Sequence, residues 1–291
     1  MTNSNESSRV RKFRLSIAKA IPKFPNDRAT LRLLEAKSLG SLLIDYTNWA
    51  YRLIPPRPRS VVMEPSLTAD HRWKTQAAET NALLQLVAAG EDLNPRLSEK
   101  AFRRGFTPTT SRPGPKADRW EDNDLLLNVM GYHHLHLSAA VGGAGLSERT
   151  NDVLFAQVTR DKFYAIGFFD HSVFKATDTG SQAMTNERNR LWMLYEHRNG
   201  LGRQSGVVYA SNPIATSGHA VQHVRLAQRY ARIVAAIDPK LDNPATRAEV
   251  FPDLSSSELA NMRLEWRFSF LDLGLIDHAA MAFHILQKGP T

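Results

Sequence analysis

Three histidines, His133, His134 and His136, fall inside the run Tyr132-His133-His134-Leu135-His136-Leu137-Ser138, which alternates apolar and polar side chains. Imidazole titrates near ~6.5, so it can take or give a proton at working pH, and a cluster of imidazoles suits general acid–base chemistry. Read as a β-strand, the run sends His134, His136 and Ser138 to one face and His133, Leu135, Leu137 and Ala139 to the other. The first face is expected to carry chemistry and the second to carry core.

The elements that must position these side chains follow directly. After the glycine-rich connection from Val141 to Gly145 come two β-branched and aromatic runs, Asp152 to Val158 and Phe163 to His171, joined by the polar turn Thr159-Arg160-Asp161-Lys162. That pattern is a hairpin, and with the histidine strand it makes an antiparallel meander. The first and third strands of a meander run the same way. His171, where the third strand ends, is therefore expected beside His136 and Ser138, and Arg149 enters the second strand at that same end.

Three chemistries fit such a site. In the first, one neutral imidazole takes the 2′-OH proton of RNA and an imidazolium protonates the departing 5′-oxygen. Arg149 steadies charge on the phosphoryl oxygens, Ser138 helps hold the substrate, and neither metal nor cofactor is required. In the second, His134, His136 and His171 hold a divalent metal, with Asp170 or Asp152 as a further ligand at no diagnostic spacing. In the third, the histidines are hydrogen-bonded structural groups at the rim of a core. Other histidines are weaker candidates. His219 and His223 stand four apart, but the glutamate that supplies the base in helical metalloprotease motifs is missing. Arg190 and His197 stand seven apart on an expected helix, and His278 and His284 sit among apolar residues at a core edge.

Composition narrows the classes. The chain of 291 residues is long enough for one large or two ordinary domains, and it has no cysteine. Disulfides, thiolate metal sites and cysteine nucleophiles are excluded, and a reducing, cytoplasmic setting is expected. No apolar run approaches the ~18 residues of a membrane span, and the polar, basic N-terminus lacks a signal-peptide core. The net charge of +8 is concentrated: residues 1–60 hold 12 Lys/Arg against 4 Asp/Glu, whereas the other 231 residues hold 25 of each. Such asymmetry points to an acidic partner, nucleic acid being the commonest kind, or to a solvated basic tail.

In chain order, residues 1–25 read as a basic arm and residues 26–119 as a helical region with a proline-rich linker. A helix capped by Asn26 or Asp27 runs through Leu39, Leu42, Leu43, Tyr46 and Leu53, and Pro55-Pro56-Arg57-Pro58-Arg59 stops it. Arg57 and Arg59 there are candidates for phosphate contact. Helices are expected from Thr68 to Ala89, closed by Gly90, and near Ser98 to Arg104. Residues 105–119 form the boundary loop, rich in proline, threonine and glycine.

The third region, residues 120–291, reads as an α+β domain with a central antiparallel meander of about four strands flanked by N-terminal and C-terminal helices. A helical passage from Asp122 to Met130 precedes the histidine strand. Beyond the meander, a helix capped by Thr179 or Ser181, a fourth strand from Gly206 to Ala210, a helix from Thr216 to Ile237 and a final helical region from Ser256 to Gln287 are expected. The second and third strands are apolar on both faces, so helices must cover both sides of the sheet.

Helices followed by an antiparallel meander bearing His134, His136, Arg149 and His171 resemble the RelE/barnase–EndoU class of metal-independent ribonucleases, common among bacterial toxins. The resemblance covers roughly residues 120–211 and is architectural. It implies RNA cleavage, of translated mRNA or tRNA, and a cognate inhibitor protein as partner. Residues 120–211 depart from the basic cleft of that class, with 8 Lys/Arg against 10 Asp/Glu. A non-catalytic RNA- or protein-binding module, with the basic N-terminus as its working surface, is the alternative in a different class.

Overall fold

The computed structural model describes residues 6–108, 124–143, 145–175, 183–201, 213–215 and 218–291. In chain order it forms α1 (Ser8–Ala20), α2 (Arg28–Glu35), α3 (Leu39–Ala50), β1 (Ser60–Met63), α4 (Pro65–Thr68), α5 (Trp73–Ala89), α6 (Glu99–Arg103) and α7 (Leu125–Met130). These are followed by β2 (Tyr132–His136), β3 (Asp152–Val158), β4 (Lys162–Asp170), α8 (Asn186–Gly200), α9 (Val221–Ile237), α10 (Pro244–Arg247), α11 (Ser256–Asn261), β5 (Leu264–Ser269), β6 (Asp272–Asp277) and β7 (Ala282–Gln287). The class is mixed α+β. Among the described residues no helix is long and apolar enough to cross a membrane. The division of the chain is not a linear one at residue 119: one compact unit gathers α1–α3 with α9–α11 and β5–β7, and a second gathers β1, α4, α5, α7, β2–β4 and α8.

In the first unit the expected basic arm is, from Ser8 onward, a core helix. The Ser7 side chain caps α1 by accepting from Val10 N, and the helix buries Phe13, Ile17 and Ala18. Phe13 packs on Trp266 and Phe268. Two basic residues of α1 are held by acidic ones far along the chain, Arg9 by Asp238 and Asp242 and Lys12 by Glu265, while Arg14 pairs with Glu6 and Arg11 and Lys19 are exposed. A deletion through residue 24 therefore removes part of a core together with any charge.

The single helix expected from Asn26 to Leu53 is two. Asp27 caps α2 through Thr30 N at 2.7 Å, and Ser38 restarts the chain as the cap of α3 through Ser41 N at 3.3 Å. A serine side chain in that position offers the backbone an alternative to continuing the helix. α3 packs along α9, and Tyr46 stacks on Phe268 at 4.5 Å while donating to Phe270 O at 2.7 Å.

The final helical region expected over 256–287 is mostly sheet. Only α11 is helical there, opened by a reciprocal Ser255–Glu258 capping box. The antiparallel sheet β5-β6-β7 follows. Leu264, Trp266 and Phe268 alternate with Glu265, Arg267 and Ser269, a period of two that buries Trp266 and points its Nε1 at Asp238 Oδ1, 2.8 Å away.

In the second unit the sheet order is β1-β4-β3-β2, with β1 parallel to β4 and the other pairs antiparallel. The sheet is thus mixed, not a simple antiparallel meander, and its described fourth strand is β1; the expected strand from Gly206 to Ala210 lies outside the described residues. A bulge in β4 leaves Ile166 without a β3 partner, and Ser66 Oγ donates to its carbonyl at 2.6 Å. The start of β1 is set by Arg59, which is buried and donates to Pro55 O, Arg57 O and Thr159 O at 2.9, 3.3 and 2.8 Å. Burial, with Arg57 and Arg160 nearby, pushes this guanidinium down to about 10. Arg59 is therefore a structural brace and not a phosphate-binding arm, and Arg57 beside it is half-buried. α5 is closed as expected by Gly90, at φ +80°, where a Cβ would also come within 2.5 Å of Pro58.

Candidate active site

β2 starts where Gly131 ends α7 in the left-handed conformation, and its register with β3 sets His134 opposite Phe155 and His136 opposite Val153. His133 is buried on the opposite face with Leu135. The face of His134 and His136 is not free for chemistry along its length, as the sequence suggested. It is shared with Tyr132, Val153, Phe155 and Phe169, which form a core with Leu191 and Tyr195 of α8. Only the end of the strand is a site. There His134 meets Phe174 edge-on at 4.8 Å, and His136 lies with its ring 6.1 Å from that of His171.

His171 leaves the end of β4 in a one-turn 3-10 helix, His171–Phe174, whose cap Asp170 accepts from Ser172 N at 2.7 Å. The Ser172 hydroxyl and then this backbone N–H hold the Asp170 carboxyl below the usual carboxylate range. Arg149 is exposed, close enough for its charge to act on both His134 and His136. Ser138 lies beyond the strand, half-buried, with Oγ accepting from Ala140 N at 3.2 Å. Arg57 and Arg59 belong to the proline segment described above. Among the described residues no three His, Cys, Asp or Glu side chains form a group able to hold a metal ion.

Thr150 ties the two imidazoles together. Its N–H donates to His136 Nδ1 at 3.4 Å, and its carbonyl lies 3.0 Å from His171 Nε2. Its hydroxyl accepts from Leu137 N and donates to Asp152 O. An amide can only donate and a carbonyl can only accept, so these partners assign the ring tautomers. His136 carries its proton on Nε2. His171 carries a proton on the Nε2 facing Thr150, so in its neutral form the lone pair is on Nδ1.

Electrostatics separates the histidines further. Burial pushes His136, 4% exposed, down to about 4, and the charges of His134, His171 and Arg149 add to that effect. His134 is lowered by burial as well, against a partial opposing pull from Asp124, 3.6 Å from its Nδ1. His136 is therefore neutral at pH 7. Of the acid and base roles that the sequence left unassigned between the histidines, this removes the imidazolium acid for His136 in the free protein and leaves it a neutral Nε2–H donor.

The same shift predicts a pH effect on stability. In the unfolded chain His136 binds a proton below about pH 6.5, whereas in the fold it does so only near pH 4. As pH falls through that window the unfolded chain gains a proton that the folded chain refuses, so stability is complete above pH 6.5 and declines toward pH 4. The loss is about 3 kcal/mol at most. Urea unfolding at pH 7 and pH 4.5 checks this: the His136→Gln variant is expected to lose less stability between the two than the native chain, and an equal loss contradicts it.

Beneath the site runs an ion-pair network that the sequence did not reveal. Asp70, with a side chain 3% exposed, binds Arg72 at 2.9 Å and Arg190 at 3.1 Å. Arg72 also reaches Asp152 at 3.2 Å and Glu187 at 3.5 Å, and it donates to Phe168 O at 2.9 Å. Arg190 pairs with Glu187 at 2.9 Å and lies over the Phe169 ring. Asp152 and Asp170 are register partners at the ends of β3 and β4, so the network braces the strand ends from which Thr150 and His171 project. Arg190 is thereby occupied, while His197 is exposed on α8 and His223 is buried against Tyr51 in the other unit. Compared with family models, with curated proteins and with solved structures, the chain matches none.

Proposed function

We propose that the protein is an endoribonuclease that cleaves RNA without a metal, through His171 and His136. The observation that carries this reading is Thr150, whose backbone holds one imidazole with a bare nitrogen and the other with a bare N–H, side by side. His171 Nδ1 takes the proton of a ribose 2′-OH as that oxygen bonds to phosphorus. The bond from phosphorus to the 5′-oxygen breaks, and the leaving oxygen takes a proton from water, whose hydroxide recovers the proton held on His171. His136 Nε2–H and Arg149 face the charge that develops on the phosphoryl and leaving oxygens, the electrostatic part of such catalysis. The products are a 2′,3′-cyclic phosphate and a 5′-hydroxyl.

The resemblance of the histidine-bearing sheet to ribonuclease toxins supports a toxin or defence role with a cognate inhibitor protein. Incubating the purified protein with RNA in EDTA tests the chemistry. Fragments with cyclic phosphate ends are expected, and fragments with 5′-phosphate ends, or activity restored only by added metal, would overturn it.

A further inference from the structure

The first unit holds a basic surface that the histidine chemistry does not use. α9 carries Arg225, Arg229 and Arg232 and no Asp or Glu. Spaced by four and three residues, the arginines share one face over about 10 Å of helix. All three are exposed, whereas His223, Ala227, Tyr230 and Val234 line the opposite, buried face. In the same unit Arg11, Lys19, Arg28 and Arg32 are also exposed, whereas Arg9, Lys12, Arg14 and Lys37 are all ion-paired. Among the described residues none of the α9 arginines is. The positive charge of residues 1–60 is thus matched only in part, and α9 presents a separate row of three arginines open to solvent.

We infer that the exposed face of α9 is a docking surface for the phosphate backbone of single-stranded RNA. Guanidinium binds phosphate oxygens in a bidentate fork and is weakly hydrated, so a row of arginines suits successive phosphates without reading the bases. An anionic membrane fits less well. A helix lying in a bilayer surface needs an apolar face to insert, and that of α9 is in the core, leaving Gln228, Ala235 and Ala236 beside the arginines. The inference takes only the identity of the nucleic acid from the ribonuclease reading. The surface itself is independent of the histidines.

The test is fluorescence anisotropy with a labelled 20-nucleotide RNA, using the full chain with His171→Ala so that the RNA stays intact. The Arg225→Gln/Arg229→Gln/Arg232→Gln variant is expected to bind at least about tenfold more weakly, with the slope of log affinity against log salt reduced by about 2, the release expected for three phosphates on a single strand. The corresponding triple lysine variant keeps the charges and is expected to retain most of the slope. A change in slope below about 0.5 in the glutamine variant overturns the inference. So does a lysine variant as weak as the glutamine one, or a wild-type surface that takes polyglutamate or anionic vesicles in preference to RNA. Loss of binding with cleavage chemistry intact in the His171-bearing chain separates this surface from the catalytic reading.

Discussion

Replacing His171 with alanine is expected to slow RNA cleavage by roughly 10²–10⁴-fold, the usual worth of a positioned base, with little change in RNA affinity. The reason is local. His171 is held by Thr150 through Nε2, so Nδ1 is the nitrogen with a lone pair to offer. His136→Ala removes a donor to developing charge and is expected to cost roughly 10²–10³-fold. Since both groups act on one transition state, the double variant should be little worse than the worse single one. The pH dependence distinguishes their roles. Because burial keeps His136 neutral down to about 4, the rate profile should show no descending limb from His136 near neutrality. A bell-shaped profile whose descending limb disappears in His136→Ala would restore the imidazolium acid.

Asp70→Asn is expected to cost about 3–5 kcal/mol of stability. Burial alone would raise this carboxyl, yet its hydrogen bonds with Arg72 and the charge of Arg190 hold it below the ordinary range. Neutralising it leaves two partly buried guanidinium groups, Arg72 and Arg190, with less negative charge between them. Glu187 and Asp152 remain as partners for Arg72, but at 3.5 and 3.2 Å they replace only part of the 2.9 Å contact. Thermal unfolding of the second unit should shift down by on the order of 10 °C. A shift of less than about 2 °C would show that the network contributes no more than a surface ion pair.

Local patterns made the centre of the second unit legible. Period-two runs and a polar turn are enough to align three strands, and the alignment puts His136 and His171 at one end. What sequence could not show is the partner that orients them. Thr150 acts through its backbone N–H and carbonyl, which every residue has, so no residue type marks it. Asp70, Arg72 and Arg190 are likewise ordinary until the fold brings positions 70 and 190 together. The same applies to Arg9 and Lys12 of α1, which looked solvated because their partners Asp238, Asp242 and Glu265 lie more than 200 residues away. β1 is four residues long and pairs with a strand about a hundred positions later, below what periodicity resolves. The misreading of residues 256–287 has another cause. Ala279-Ala280-Met281-Ala282 favours helix by propensity, but Asp277 turns the chain by accepting from Arg263 N at 3.0 Å and Ala279 N at 2.9 Å, and cross-strand packing decides the rest.

The central claim is that the 2′-hydroxyl of RNA is the nucleophile, activated by His171. A single-turnover comparison of one RNA with the same sequence 2′-O-methylated throughout, both in EDTA, tests it most directly. The unmodified RNA should be cleaved and the methylated one should remain whole, because the proton that His171 removes is no longer there. Cleavage of both at similar rates would mean that water or another group attacks phosphorus, and would contradict the account.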